Sequence, residues 1–299
     1  MNRNSPLYLA LRRFRRHTLA IASFALLVIM IIVVTIAPMI ESWLGLDANA
    51  VNLFNRMSPA SSEHWLGTDE LGRDTFLRLL YGGQVSLYAG LTAACAAASI
   101  GTIVGLFAGY YGGRLDAILM RLTDGVIALP LLPLLIVLAA IDLNKIGLPQ
   151  SWIDSEDVSF YRIVVIVALV GWTTVARLVR GAALSIKERD YVKAAEGVGA
   201  GHIHIMFKHI LPNLISPIVV AITLSVGNVI LLESVLSFLG LGIQPPMPSW
   251  GNMLTNAQEL IWEAPMLAVY PGLLIFATVI SFNFLGDGLQ DAFDPKAEY

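Results

Sequence analysis

Long apolar runs alternate with short polar stretches along the chain. Six runs reach about 20 residues, the length at which a helix rises about 30 Å and spans the hydrocarbon core of a bilayer. They lie at residues 19–38, 86–108, 117–141, 162–181, 213–236 and 266–285. The pattern predicts six transmembrane helices, of which the third is kinked or broken around Pro130 and Pro133.

Composition agrees with this pattern, because 56% of the residues are hydrophobic, 14% are charged and the mean hydropathy is +0.70. Soluble domains carry about 25% charged residues, so we expect an all-α, polytopic membrane protein. The first run is too long for a cleaved secretion signal and lacks a small-residue cleavage site, which favours a retained span. A single cysteine, Cys95, excludes an intramolecular disulfide and a Cys-rich metal site.

Basic residues divide unevenly between the two sides of the predicted bundle. Lys and Arg near span ends remain preferentially in the cytoplasm. A cytoplasmic N-terminus places 14 of the 19 on its side: Arg3, Arg12, Arg13, Arg15, Arg16, Arg114, Arg121, Arg177, Arg180, Lys187, Arg189, Lys193, Lys208 and Lys296. We therefore expect both termini and the polar stretch 190–214 to be cytoplasmic.

Two features lie inside the predicted spans. Gly101, Gly105 and Gly109 recur every four residues and so share one helix face. We expect this face to pack helices within one bundle rather than to form a dedicated dimer contact. Asp124 and Glu233 are ionisable at membrane depth and have no partner visible in the sequence. We expect structural pairing rather than a proton relay, which needs several such groups in line.

Common catalytic and cofactor motifs are absent from the sequence. The sequence contains no G-x-x-x-x-G-K-[ST], no H-E-x-x-H and no G-x-S-x-G, so it predicts no P-loop, no zinc-protease helix and no nucleophile elbow. For His202, His204 and His209 we expect solvated loop histidines rather than metal ligands. The basic run "RRFRRH" directly precedes a span, which favours contact with lipid headgroups over binding of nucleic acid.

The polar stretch 190–214, "DYVKAAEGVGAGHIHIMFKHILPNL", separates two apolar runs. Gly197, Gly199 and Gly201 interrupt its helical spacing, which predicts two short helices with a bend between them, the second ending at Pro212. Its apolar residues are Tyr191, Val192, Ala194, Ala195, Val198, Ile203, Met206, Phe207 and Ile210. We expect a knob whose apolar face has no core of its own to bury it. Such a face suits a groove on another protein, and an interfacial helix on lipid is the alternative.

"KAAEGVG" followed by "HILPN" resembles the signature loop of the integral-membrane subunits of bacterial ABC importers. The matching residues are Ala194, Ala195, Gly199, Leu211 and Pro212, preceded in the last motif by Ile210, while Lys193 stands where that family usually has Glu. The charge reversal at Lys193 affects any ion pair that the family's Glu makes with an ATPase subunit. The resemblance identifies residues 185–212 as the coupling loop that contacts the ATPase.

Further blocks resemble the second-subunit group of oligopeptide, dipeptide and nickel permeases. They are "HWLGTDELGRDTFLRLLYGGQVSL", "GYYGGRLD", "GWTTVARLVRGAALS", "ESVLSFLGLGIQPPMPSWGNML" and "FNFLGDGLQDAFDP", in that order. The resemblance implies the type I ABC importer permease fold. Residues 1–84 would comprise the cytoplasmic N-terminus, first span and outer loop, 85–288 the permease core with five spans, and 289–299 a cytoplasmic tail. The outer segment 142–160 is longer than is usual in this group, and we assign it no function.

The resemblance implies a transport subunit without catalytic residues, located in a bacterial plasma (inner) membrane. It would pair with a similar, non-identical permease around one pore, above two cytoplasmic ATPases that bind ATP and Mg²⁺, and would receive substrate from a solute-binding protein. Peptides are the expected substrate, with nickel complexes, glutathione or other small solutes as alternatives.

Two other classes of function compete with this one. A stand-alone secondary transporter would show an internal repeat and would need no cytoplasmic knob. A membrane-embedded hydrolase could use Ser225, Ser234 or Ser237, but the predicted spans contain no histidine to activate one.

Overall fold

The computed structural model describes residues 6–147, 149–155, 157–255 and 257–293. Within these ranges every regular element is helical, and Thr68 and Asp74 form an isolated β-bridge. The α-helices are α1 (Pro6–Phe14), α2 (Thr18–Thr35), α3 (Ala37–Leu44), α4 (Thr75–Tyr111), α5 (Gly113–Ala128), α6 (Leu131–Ala139), α7 (Gln150–Ile153), α8 (Val158–Lys187), α9 (Asp190–Gly197), α10 (His202–His204), α11 (Leu211–Phe238), α12 (Ala257–Leu260) and α13 (Met266–Phe293). Short 3-10 turns lie at Leu53–Asn55, Leu143–Ile146 and Asn252–Leu254, and a π-helical turn lies at Ile205–Ile210.

Five of the described helices are long and apolar enough to cross a membrane. They contain α2, α4, α8, α11 and α13, with mean hydropathies between 1.8 and 2.8 in their most apolar windows. This confirms the all-α polytopic class. α4 has 37 residues, which corresponds to roughly 55 Å and exceeds the hydrocarbon thickness. It therefore extends beyond the predicted span 86–108 on both sides.

The third predicted span is broken rather than continuous. α5 and α6 meet at an angle of 87°, and the residues between them are Leu129, which is extended with ψ 138°, and Pro130. Proline lacks the N–H that a helix needs and disfavours helical backbone in the residue before it, so a break at Pro130 is expected and found. Pro133 does not interrupt α6, because it lies in the first turn, where the N–H has no partner within the helix.

α4 and α8 run parallel to each other. The space beside Gly101 is occupied by Trp172 and Val175, whereas Ala183 lies beside Gly109, so the two helices advance together. The chain that connects two parallel neighbours must return along the full length of the bundle. The segment between α4 and α8 contains α5 and α6, so this bent pair is the candidate for the sixth crossing.

The close approach of α4 and α8 depends on the three glycines of α4. A Cβ atom added at Gly101, Gly105 or Gly109 would come closer than 3.0 Å to atoms of α8, including the backbone oxygens of Trp172 and Ala176. A clash with a side chain could be relieved by rotation of that side chain, but a clash with a backbone oxygen cannot. The three glycines thus face α8 within the same chain.

One end of the bundle collects both ends of the described chain and the coupling loop. Gly288 of α13 lies beside Ala20 of α2, and Gly286 lies beside Leu224 of α11. In the other direction, Val279 lies beside Gly227. α13 is therefore antiparallel to both helices, so α2 and α11 begin where α13 ends. We name this the coupling end, and the other the opposite end.

Two buried apolar clusters fill the bundle. The larger lies toward the opposite end and includes Leu135, Ile163, Ile230 and Trp250. The second lies at the coupling end and includes Leu106, Val179, Val192, Ile205, Met206, Ile210 and Leu214. The second cluster unites the coupling loop with α4, α8 and α11.

Candidate functional site

The coupling loop begins with a short helix that ends in a glycine turn. α9 carries Asp190 in its first turn, where a carboxylate is favoured by the helix dipole. Gly199 has φ +83°, its N–H donates to the oxygen of Glu196 at 2.9 Å, and the N–H of Ala200 donates to the oxygen of Ala195 at 3.0 Å. These bonds form a Schellman motif with Gly199 in the left-handed position.

The other two glycines of the loop have ordinary backbone conformations. Gly197 is the last residue of α9, and Gly201 is extended with φ −68° and ψ 151°. Of the three glycines expected to interrupt the helix, Gly199 is the one whose conformation requires glycine.

The segment after the turn differs from the prediction. α10 continues through the π-helical turn into α11, and His202–Phe238 forms one helix of 37 residues. The prediction of a separate second helix ending at Pro212 was therefore wrong. Pro212 lies inside this continuous helix, directly after the π-helical turn, whose wider backbone accommodates the proline ring and its missing N–H.

Part of the apolar face of the coupling loop is buried within the same chain. Val192, Ile205, Met206 and Ile210 have no exposed surface and belong to the apolar cluster at the coupling end. The expectation that the knob has no core of its own was therefore wrong. The physical reason is the length of α4 and α8, which extend past the predicted spans far enough to cover it.

A second apolar surface remains exposed on the loop. Val198 is 85% exposed, Ile203 68%, Phe207 50% and Tyr191 45%. Val198 and Ile203 flank the Schellman turn at Gly199 in sequence. The turn therefore determines how these two side chains are presented.

Tyr110, at the end of α4, ties the coupling loop to the bundle. Its hydroxyl lies 2.8 Å from Nδ1 of His202, and its backbone oxygen accepts a hydrogen bond from Nζ of Lys187 at 2.7 Å. The Lys187 ammonium also lies 5.4 Å from the centre of the Tyr110 ring, a cation–π distance. Tyr110 itself is buried, so the start of α10 and the end of α8 are anchored to α4.

Lys193, the residue that departs from the resemblance, forms an ion pair inside the loop. Its Nζ lies 2.9 Å from Oε2 of Glu188. The hydrogen bond with Glu188 raises the pKa of Lys193, and the same bond lowers the pKa of Glu188. Exposed pairs of this kind contribute little to stability. The positive charge of Lys193 is thus directed toward the same chain.

The other residues that carry the resemblance occupy different environments. Ala194 and Pro212 are exposed, Ala195 and Leu211 are half-buried against the apolar cluster of the coupling end, and Ile210 is buried. Only part of the motif is therefore available to a partner, and the rest packs the loop against the bundle.

Two ion pairs join α5 to α8 near the coupling end. Arg180 binds both carboxylate oxygens of Asp116, at 2.5 and 2.6 Å. Arg177 donates to Asp124 at 2.5 Å, which identifies the structural partner expected for Asp124. The sequence could not reveal either pair, because the partners are 64 and 53 residues apart.

Glu233 is buried near the opposite end among three serines. Its carboxylate accepts hydrogen bonds from Ser237 at 2.7 Å, Ser249 at 2.8 Å and Ser86 at 3.4 Å. Ser86 also accepts a bond from the backbone of Trp250. Glu233 thus links α4, α11 and the segment after α11. The serine hydroxyls thus provide the structural pairing expected for Glu233, and a basic partner is not required.

The loop before α4 is held by a second polar network at the opposite end. Asp69 accepts from Nε of Arg73 at 2.7 Å and lies 3.4 Å from Nε of Arg78. Asp74 caps α4 by accepting from the N–H of Leu77 at 2.8 Å, and it lies 2.9 Å from Nδ1 of His64. These residues all fall in the block "HWLGTDELGRDTFLRLLYGGQVSL". The block therefore builds a fixed loop above α4.

The residues considered for other chemistries are engaged elsewhere. His202 bonds to Tyr110, while the rings of His204 and His209 lie 5.7 Å apart. Ser234 donates to the backbone oxygen of Ile230. Within the described parts of the chain, no group of three or more His, Cys, Asp or Glu side chains could hold a metal ion.

Two sequence families match this chain. The family described as "Binding-protein-dependent transport system inner membrane component" matches residues 101–299, and "N-terminal TM domain of oligopeptide transport permease C" matches residues 5–54. The two matches cover the coupling loop and the first span respectively.

Individual relatives match over nearly the whole chain. The dipeptide transport system permease protein DppC of Alkalihalophilus pseudofirmus is 38% identical over 292 residues, 98% of this chain and 90% of the relative. The oligopeptide transport system permease protein OppC of Bacillus subtilis is 37% identical over 287 residues, which are 96% of this chain and 88% of the relative. The glutathione transport system permease protein GsiD of Pectobacterium atrosepticum is 42% identical over 286 residues, which are 95% of this chain and 89% of the relative.

Proposed function

This chain belongs to the family of binding-protein-dependent transport system inner membrane components, and we propose that it forms half of the translocation pathway for peptides in an ATP-driven importer. As a permease subunit it is a transport component and not an enzyme, in a multi-pass inner-membrane arrangement. The other half of the pathway would come from a homologous, non-identical permease subunit. Two ATP-binding subunits and a solute-binding protein complete the proposed assembly.

The coupling loop is the observation that carries the proposal of ATP coupling. It presents Val198 and Ile203 on the two sides of a conformationally restricted turn, and its base is packed into the core and anchored by Tyr110. Because the base of the loop is packed and rigid, a displacement of its exposed apolar surface is passed on to the helices and is not lost in local deformation. Movement of an ATPase against this loop would therefore move α8 and α11.

Nucleotide binding is assigned to the partner subunits, because this sequence contains no P-loop. We expect the purified chain to show no ATP hydrolysis. Uptake by the complete transporter should stop when the ATPase subunits lose their P-loop lysine. Peptide uptake in proteoliposomes checks this, and uptake that continues after the lysine is lost would favour a gradient-driven secondary transporter.

We place the coupling end in the cytoplasm, in accordance with the 14-to-5 division of basic residues. In a Cys95→Ser background, single cysteines at Ser61 and Ser155 should react with an impermeant thiol reagent in intact cells. Cysteines at Ser185 and at Tyr299, which lies outside the described residues, should react only after permeabilisation. The background is needed because Cys95 is exposed on α4. Labelling at position 185 in intact cells would reverse the assigned orientation.

Glutathione is a second candidate substrate within the same mechanism. The observation in its favour is the 42% identity to the glutathione transport system permease protein GsiD. Competition between labelled tripeptide and excess glutathione during uptake distinguishes the two substrates.

A further inference from the structure

A cavity of about 710 Å³ lies at the opposite end of the bundle. The end of α2, residues 84–91 of α4 and the beginning of α8 surround it, and Met247 and Phe282 complete its wall. Its volume lies within the range of about 300 to 1,000 Å³ typical of small-ligand sites. None of the polar networks described above extends into it.

One wall of the cavity is aromatic. The rings of Tyr88 and Phe160 stack at 5.4 Å, and Tyr161 meets Phe160 edge-on at 5.5 Å. Tyr88 and Tyr161 are each 62% exposed, so the part of each ring that does not contact Phe160 is available to a ligand. Aromatic faces attract organic cations, including ammonium groups.

Asp157 also lines the cavity, at the position just before α8. Its side chain makes no capping hydrogen bond with the helix. Among the described residues no basic side chain forms an ion pair with it, in contrast to Asp116 and Asp124. A carboxylate at this position has an unused capacity to bind a cation.

We infer that this cavity binds the free N-terminal ammonium group of a peptide, with Asp157 as the counter-ion and Tyr88, Phe160 and Tyr161 as the aromatic wall. The inference rests on the proposed peptide transport. Asp157 is exposed and belongs to the outer segment 142–160, so a cation can reach its carboxylate from water, whereas a lipid chain or an apolar partner helix would offer it no counter-charge. A peptide amine satisfies the carboxylate and the aromatic faces together.

A cysteine reporter in the cavity tests the inference without transport. Thr35 lines the cavity and is exposed, so Thr35→Cys in a Cys95→Ser background should react with an impermeant maleimide in the assembled permease complex. Trialanine should slow this reaction, and N-acetyl-trialanine should require about fivefold higher concentration for the same effect. The solute-binding protein is omitted, so that its own selectivity does not enter.

Two acidic positions supply the matched comparison. Asp157→Asn should abolish the difference between the free and the acetylated peptide. Asp154→Asn removes the same charge three residues away, outside the cavity lining, and should preserve the difference. A reporter at Ser61 should react equally with and without peptide.

Three outcomes would overturn the inference. The first is a cavity reporter that stays unreactive in the complex, which would mean that lipid or the partner subunit fills the cavity. The second is equal protection of the reporter by the two peptides. The third is an unchanged preference for the free peptide in Asp157→Asn. ATP-dependent trialanine uptake by the complete wild-type transporter is measured in parallel. Uptake without the expected protection rejects the cavity site alone, whereas absence of uptake contradicts the proposed peptide transport.

Discussion

Gly105→Ala is expected to lower the melting temperature of the purified protein in detergent by about 5 °C, whereas Gly181→Ala should leave it unchanged or raise it slightly. A Cβ at Gly105 would come closer than 3.0 Å to the backbone oxygen of Ala176. α4 and α8 would have to separate, and overpacking of this kind costs about 1 to 3 kcal/mol.

Gly181 provides the matched control on the facing helix. A Cβ at Gly181 meets no atom within 4 Å, so alanine there improves helix propensity by about 0.5 to 1 kcal/mol without a clash. Thermal unfolding followed by the loss of the helical circular dichroism signal measures both variants. Equal shifts for the two variants would show that the glycine face of α4 does not determine the packing of α4 against α8.

Gly199→Val is expected to leave the amount of protein in the membrane near normal and to reduce ATPase association, peptide uptake or both by about tenfold. The left-handed conformation at Gly199 costs an ordinary residue about 1 to 2 kcal/mol and a β-branched residue more. Because a Cβ at Gly199 would meet nothing within 4 Å, the effect comes from backbone strain alone. The Schellman turn would open and displace Val198 and Ile203.

Two further variants separate backbone strain from the loss of glycine. Asparagine tolerates the left-handed region, so Gly199→Asn should retain most of the coupling. Gly201 has an extended backbone and equally free space, so Gly201→Val should be close to wild type. Membrane level, co-purified ATPase and uptake are measured for all three. Wild-type coupling in Gly199→Val would show that this turn does not transmit the motion of the ATPases.

Several features of the molecule followed from the sequence without a structure. A bilayer requires each crossing segment to satisfy its own backbone hydrogen bonds, so runs of about 20 apolar residues could only be helices. The break at Pro130 followed from local chemistry, because proline acts on its own residue and on the residue before it. The glycine turn of the coupling loop is local in the same sense, although the sequence did not indicate which of its three glycines has positive φ.

Contacts between distant residues were decided by the tertiary structure. Asp124 pairs with Arg177 of α8, and Glu233 accepts from Ser86 of α4 and from Ser249 in the segment after α11. The burial of Met206 depends on how far α4 and α8 extend. The cavity beside Asp157 likewise arises only where α2, α4 and α8 meet. Hydropathy shows that a segment avoids water, but it does not distinguish a segment that faces lipid from one that is buried in protein. The sequence by itself therefore determined which segments are helices and where the chain turns, while packing decided which apolar and charged side chains are buried, paired or left available.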